Sequence, residues 1–354
     1  MKAALLFFVW VCGAALAAEP PRWQTVPLPA AARGLIEGQQ SGPYVLSEAE
    51  WFNWCPSVIH APDGKYHLFH SRWPKRAGFS AWLPMSEIVH RVAVRPEGPF
   101  RFVSVAIPAR GPGRGEWFTA HNPKIERFNG CYYLYFVQTR GGLTDAGREE
   151  LGRVGGKHPR WMEIRNHQRT FVASSKSLEG PWVITQEPVV EPAATIERVT
   201  VNPAVARRPD GSYLMIIKGD KPGEKRFIRN QAVATARRPE GPWTIQPKAA
   251  IDDKDTEDVS LWYSTLWRRF FAVFHAHTFI GLIESADGLD WRPSAQAELT
   301  QRAVVFDDGV VWTPDRMERP FVLTDAQGVP QVLYVACKKG DHSVDLALPL
   351  RSRP

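Results

Sequence analysis

Five segments far apart along the chain repeat one grammar: a polar opening, with proline in four of the five, an apolar run, a turn, then a strand of alternating aromatics. They begin Trp54-Cys55-Pro56-Ser57-Val58-Ile59, His121-Asn122-Pro123-Lys124-Ile125, Val201-Asn202-Pro203-Ala204-Val205, Glu257-Asp258-Val259-Ser260-Leu261 and Glu318-Arg319-Pro320-Phe321-Val322. The turns that follow are regular in the first three copies. Pro62-Asp63-Gly64-Lys65 leads into Tyr66-His67-Leu68-Phe69, Asn129-Gly130 into Cys131-Tyr132-Tyr133-Leu134, and Asp210-Gly211 into Tyr213-Leu214-Met215. Asp-Gly and Asn-Gly between apolar runs signal tight hairpins, because such turns need positive φ at their central residues. The last two copies turn more weakly, at Ser264-Thr265 and Gln327-Gly328. A second signature closes most units: a short strand, a turn of the type Pro96-Glu97-Gly98-Pro99, Leu178-Glu179-Gly180-Pro181 or Pro239-Glu240-Gly241-Pro242, then an aromatic (Phe100, Trp182, Trp243). Asp287-Gly288-Leu289-Asp290-Trp291 is the fourth of these.

Each unit therefore predicts about four short strands, repeating at intervals of 67, 80, 56 and 61 residues. Four-stranded units repeated in this way are the blades of a β-propeller, and five openings predict an all-β, five-bladed β-propeller over residues 48–354. Long helical periodicity is absent. The extra length of the second unit, Thr139 to Gln168, reads as an insertion loop rich in Gly, Arg and His. Long loops on a rigid scaffold often shape a site.

Residues 1–18 read as a signal peptide: Met1-Lys2, an apolar stretch with Phe7, Phe8, Val9 and Trp10 at its centre, then the small-residue site Ala15-Leu16-Ala17. Residues 19–47 read as an N-terminal extension. The expected mature protein is exported, periplasmic or extracellular, with no membrane association. The 354 residues carry 44 Lys+Arg against 37 Asp+Glu, a net +7 that becomes +6 once Lys2 is removed. No basic tail or arginine-rich run accompanies that charge, which argues against nucleic acid and suits an anionic small molecule or polysaccharide. Past the signal, three cysteines remain: Cys55, Cys131 and Cys337. They form no disulfide framework, and without CxxC spacing they predict no structural zinc.

In a propeller the innermost strands gather around one axis. The five openings are the candidates for those strands, so Trp54 and Cys55, His121 and Asn122, Asn202, Glu257 and Asp258, and Glu318 and Arg319 are expected to converge. Carboxylates, amides, a histidine and a guanidinium beside indoles suit a sugar, whose hydroxyls need paired donors and acceptors. Arg72 and Lys75 flank Trp73 after the first hairpin. Arg165, His167 and Arg169 come from the insertion, and Lys218 closes the third hairpin. These cations predict contacts to an anionic or heavily hydroxylated glycan.

On these openings, on the PDGKYHLF and NGCYYLYF hairpins and on the EGPF and EGPW turns, the chain resembles the five-bladed-propeller glycoside hydrolases, family 43 and its relatives in families 32 and 117. The resemblance spans roughly Glu48 to Lys338. It implies a secreted glycoside hydrolase that cleaves a plant or algal poly- or oligosaccharide, acting from chain ends, with no required cofactor. A bound cation is compatible with the group, but the sequence shows no ligand set for one. The resemblance also implies a base or nucleophile in blade one, an orienting carboxylate in blade three and an acid in blade four, with two carboxyls flanking the scissile bond. Glu257 matches the acid position. Cys55 and Asn202 stand where the other two acids would be, so Asp258 and Glu318 compete for the remaining carboxylate role. His275 is a further acid–base candidate because histidine titrates near neutrality. The missing carboxylates leave two alternatives, a non-catalytic glycan-binding propeller and a phosphorylase in which phosphate replaces the base.

Overall fold

Apolar runs separated by tight turns pair with their neighbours in sequence, and the result is five antiparallel sheets. The computed structural model describes residues 19–110 and 115–353; the expected signal peptide lies outside them. Blade one comprises Trp51–His60, Tyr66–Pro74, Glu87–Ala93 and Arg101–Ile107. Blade two comprises Trp117–Phe128, Cys131–Arg140, Gln168–Ser175 and Val183–Ile184, and blade three Glu197–Arg207, Tyr213–Asp220, Arg229–Ala236 and Thr244–Ile251. Blade four comprises Glu257–Ser264, Arg269–His275, Phe279–Ser285 and Arg292–Gln301. Each first strand packs against the first strand of the next blade, and that of blade five returns to blade one. The five-bladed propeller expected from the repeat is thus the fold.

The core lies between blades, as expected for sheets packed face to face. Phe69, Ile88 and Ile107 of blade one meet Ile125, Leu134, Phe136 and Phe171 of blade two. Tyr135 and Val172 of blade two meet Val205, Met215 and Ile217 of blade three. The EGP turns also have a local cause. Gly241 sits at φ 93°, and a Cβ there would come within 2.8 Å of the Trp243 ring, so only glycine lets the indole fold back over the turn.

Two expectations change. First, residues 19–47 are stitched into the ring rather than set apart from it. Blade five comprises Arg316–Thr324, Pro330–Lys339 and His342–Ser352, and its outermost strand is Trp23–Thr25, paired Trp23↔Ser352 and Thr25↔Leu350. Trp23 is buried edge-on against Trp267 (5.6 Å) and Phe271 (5.9 Å) of blade four. Val45–Leu46 adds to the same last strand. Second, the insertion of blade two contains helices, Asp145–Val154 and Trp161–Asn166. The Thr144 hydroxyl caps the first by accepting from the Gly147 N–H (3.1 Å). Leu151 and Ile164 anchor the pair on Leu83, Phe118 and Leu143.

Candidate active site

The five openings share a backbone device. In every blade the first strand slips register between the residue that opens the bulge and the one three positions later: Trp54/Ser57, His121/Lys124, Val201/Ala204, Glu257/Ser260 and Glu318/Phe321. At each bulge the second residue takes positive φ: Cys55 62°, Asn122 53°, Asn202 55°, Asp258 60° and Arg319 58°. Four of these precede proline, where a residue is ordinarily held extended. The bulge bends each strand end and re-aims one side chain, as bulges beside sites commonly do. The five side chains aimed this way, Trp54, His121, Val201, Glu257 and Glu318, all line one cup of about 220 Å³ at the end of the central channel.

Six aromatic rings belong to the cup: Trp54, Trp73, Phe79, Trp82, Trp161 and Phe227. Trp161 comes from the insertion, packed edge-on to Trp82 at 6.1 Å. Phe227, half exposed, lies over the guanidinium groups of Arg165 (4.5 Å) and Arg229 (5.2 Å). Arg165 is itself held by Asp220 through both of its terminal nitrogens.

Glu257 is gripped by two cations, Lys218 on one oxygen and Arg229 on the other. Burial alone would raise its carboxyl, but Lys218, Arg229 and Arg319 outweigh that and hold it well below the usual carboxylate range. The two cations on its oxygens suit a group that stays ionised, an arrangement different from that of a proton donor. Glu318, half-buried on the neighbouring blade, pairs with the exposed Arg316 at 3.0 Å. Beneath the cup, Asp258 accepts from Asn202 Nδ2 (2.6 Å) and from the Arg319 guanidinium. His275 approaches its other oxygen at 3.8 Å. Burial pulls the His275 imidazole down against the attraction of Glu318 and Asp258. Asp258, His275 and Glu318 bring ligand atoms within 4.8 Å of one another, so among the described residues they are the group able to hold a cation. Asp258 Oδ2 and His275 Nδ1 are both buried without a hydrogen-bond partner, which fits that reading; the guanidinium already on Asp258 competes with it.

His121 stands in the wall, its Nδ1 3.0 Å from Ser86 Oγ and its Nε2 3.7 Å from Cys55 Sγ, with its ring beside Trp82 (5.3 Å). Burial, then Arg319 and Lys218, push its imidazole well below the ordinary value, so it is neutral. Burial also pushes the Cys55 thiol up to about 12, so this Cys–His pair holds no thiolate. Deeper on the axis, Lys124 is buried with its ammonium 3.4 Å from the Pro320 carbonyl and over the Phe321 ring at 5.4 Å.

Of the residues singled out from sequence, Trp54, His121, Arg165, Asn202, Lys218, Glu257, Glu318 and Arg319 line the cup. Asn122, Asp258 and His275 lie buried outside its lining. Arg72, Lys75 and Arg169 do not reach it. Side chains alternate along a strand, so with Trp73 and Gln168 turned inward their neighbours Arg72 and Arg169 turn away. Arg72 pairs with Glu87 (2.9 Å) and Glu48 (3.4 Å), Arg169 with Glu191 (2.7 Å), and Lys75 donates to Gln39 (2.6 Å). Phe79, Trp82, Arg229, Phe227 and Arg316 carried no sequence signal, because loops and strand ends outside the repeat bring them in.

No family model matches the chain, and no curated protein matches it in sequence. Solved structures do match its shape. Zg3597, a family 117 glycoside hydrolase from the marine bacterium Zobellia galactanivorans, is 14% identical over 93% of this chain and 90% of its own, with a TM-score of 0.60. BT0996, solved as an RGII complex, gives 12% identity, 92% and 95% coverage and a TM-score of 0.62. A GH43_1 enzyme from Xanthomonas citri complexed with xylotriose gives 14%, 91% and 93%, and 0.55. At these identities the likeness is one of fold, and the chain has the five-bladed propeller fold of glycoside hydrolases of families 43 and 117.

Proposed function

We propose that the protein is an exported glycosidase that removes single sugar residues from the ends of a poly- or oligosaccharide. The observation that carries this is the convergence of five repeat-equivalent side chains on one cup of about 220 Å³, walled by aromatic rings and holding two carboxylates from adjacent blades. That volume suits one sugar ring. Indole faces exclude water and stack on its apolar face, while charged groups order its hydroxyls. Glu257, held ionised, supports positive charge developing at the anomeric carbon and takes the proton of the attacking water. Glu318 donates a proton to the leaving oxygen. Acid–base chemistry of this kind needs no cofactor. Lys218, Arg229, Arg316 and Arg319 each have a carboxylate partner in the protein, but the cations of the lining outnumber its two carboxylates, Glu257 and Glu318, and that surplus favours a sugar bearing a carboxylate or sulfate.

The test is release of monosaccharide from oligosaccharides ending in uronate, sulfated or neutral residues, with and without inorganic phosphate. Release from the acidic set without phosphate is expected. Glu318→Gln should lower kcat by roughly 10²–10⁴-fold, the usual worth of a positioned acid, and change KM little. Binding of these sugars with no release sinks the proposal. The cation-rich lining favours one second reading, a phosphorylase; a sugar 1-phosphate formed only when phosphate is present would establish it instead.

A further inference from the structure

The first strand of each blade runs from the cup to the opposite face. Six residues beyond each cup position, a second set of repeat-equivalent residues appears: His60, Arg127, Arg207, Tyr263 and Thr324. Together they ring another opening of the channel, about 660 Å³ in volume. Six residues of extended chain put it roughly 20 Å from the cup. Buried Lys124 lies on the strand between the two ends.

The two ends differ in how their cations are used. In the cup every cation is matched: Lys218 and Arg229 to Glu257, Arg165 to Asp220, Arg316 to Glu318 and Arg319 to Asp258. At the far mouth Arg127 and Arg207, on neighbouring blades, are exposed, and among the described residues neither forms an ion pair; the mouth also holds Glu126, whose carboxyl burial pushes up to about 8, and Asp325, which accepts from the Gln327 and Val329 N–H groups of its own turn. The Arg127 guanidinium lies over the Tyr132 ring at 5.7 Å, which steadies its plane and leaves the N–H edge free to donate. Two open guanidinium forks in register on one rim form an anion-reading pair. The basin between them is about three times the volume of the cup, room for a few sugar rings.

We propose that this far mouth is a second, non-catalytic site that holds a segment of acidic polysaccharide through the carboxylates or sulfates on its sugars, with Arg127 and Arg207 as the reading pair. The class of the ligand rests on the glycan reading of the cup; the anion preference rests on the far mouth alone. Holding a polymer at one face keeps chain ends concentrated near the other, a gain of effective concentration without new contacts in the cup.

The test measures binding rather than turnover. Glu318→Gln protein is titrated with polygalacturonate fragments, with a sulfated galactan and with neutral dextran. The same protein carrying Arg127→Ala and Arg207→Ala is compared, along with an Arg127→Lys, Arg207→Lys version. The alanine pair is expected to weaken binding to at least one acidic polymer by tenfold or more and to leave the melting temperature unchanged. The lysine pair should recover part of the loss, and dextran should show no difference. Equal affinity with and without the two arginines overturns the inference, as does equal retention of duplex DNA. A protein that releases no sugar yet binds acidic polymer through these arginines upholds this site and refutes the glycosidase.

Discussion

Lys124 shows most simply what a single side chain costs in this channel. It is buried, with one carbonyl and one ring for company, and burial pulls its ammonium down to about 8. The native state therefore gives up this proton more readily than the unfolded chain, whose lysine titrates near 10.4. The penalty for carrying the charge builds as pH falls from the unfolded value towards 8 and is fully present at neutrality. Lys124→Met keeps the stem and removes the charge, so it is expected to raise the thermal midpoint at pH 7 and to have a smaller effect above pH 10. A midpoint that falls at pH 7 would show the ammonium to be stabilising. Glu257 has the opposite sign. Its carboxyl is held low, so its contribution is present above the ordinary glutamate range and is lost as pH drops through the folded value.

At the level of the element, the bulged strand is the unit that makes a site out of a repeat. Five backbones at φ 53° to 62° aim five side chains at one point. A β-branched residue at positive φ is strained by roughly 1–3 kcal/mol. Cys55→Val is thus expected to lower the thermal midpoint by several degrees, and Cys55→Ala to stay near wild type; equal midpoints would mean that the bulge stores no such strain. The openings were legible in sequence because a polar opening recurs at each bulge, with proline at four of the five, and Glu257, Glu318 and His121 could be named from it. The aiming was not legible. Nothing local tells a pre-proline residue to leave the extended region, so the sequence alone could not say that Asn122 turns away from the cup while His121 points into it. The environment of Glu257 is illegible for a related reason. Its protonation is set by Lys218 and Arg229, residues of another blade that fall outside the repeated motif. Arg72 and Lys75 looked like a rim because they flank Trp73, and strand alternation turns Arg72 the other way.

For the molecule as a whole, the ring stands or falls at blade five, where a strand from the beginning of the described chain completes a sheet from its end. Trp23 is the peg of that seam, buried against blade four. Trp23→Ala should cost about 3–5 kcal/mol, as large-to-small changes in a core do, and lower the melting temperature by many degrees. A small loss would show that Val45–Leu46 and the three remaining strands hold the seam unaided. Inside the closed ring the residue that opens each bulge puts its side chain into the cup. The five donors thus behave like interchangeable bits in fixed sockets: a swap at Val201, the one aliphatic among them, would re-equip the tool without disturbing the grip of the other four.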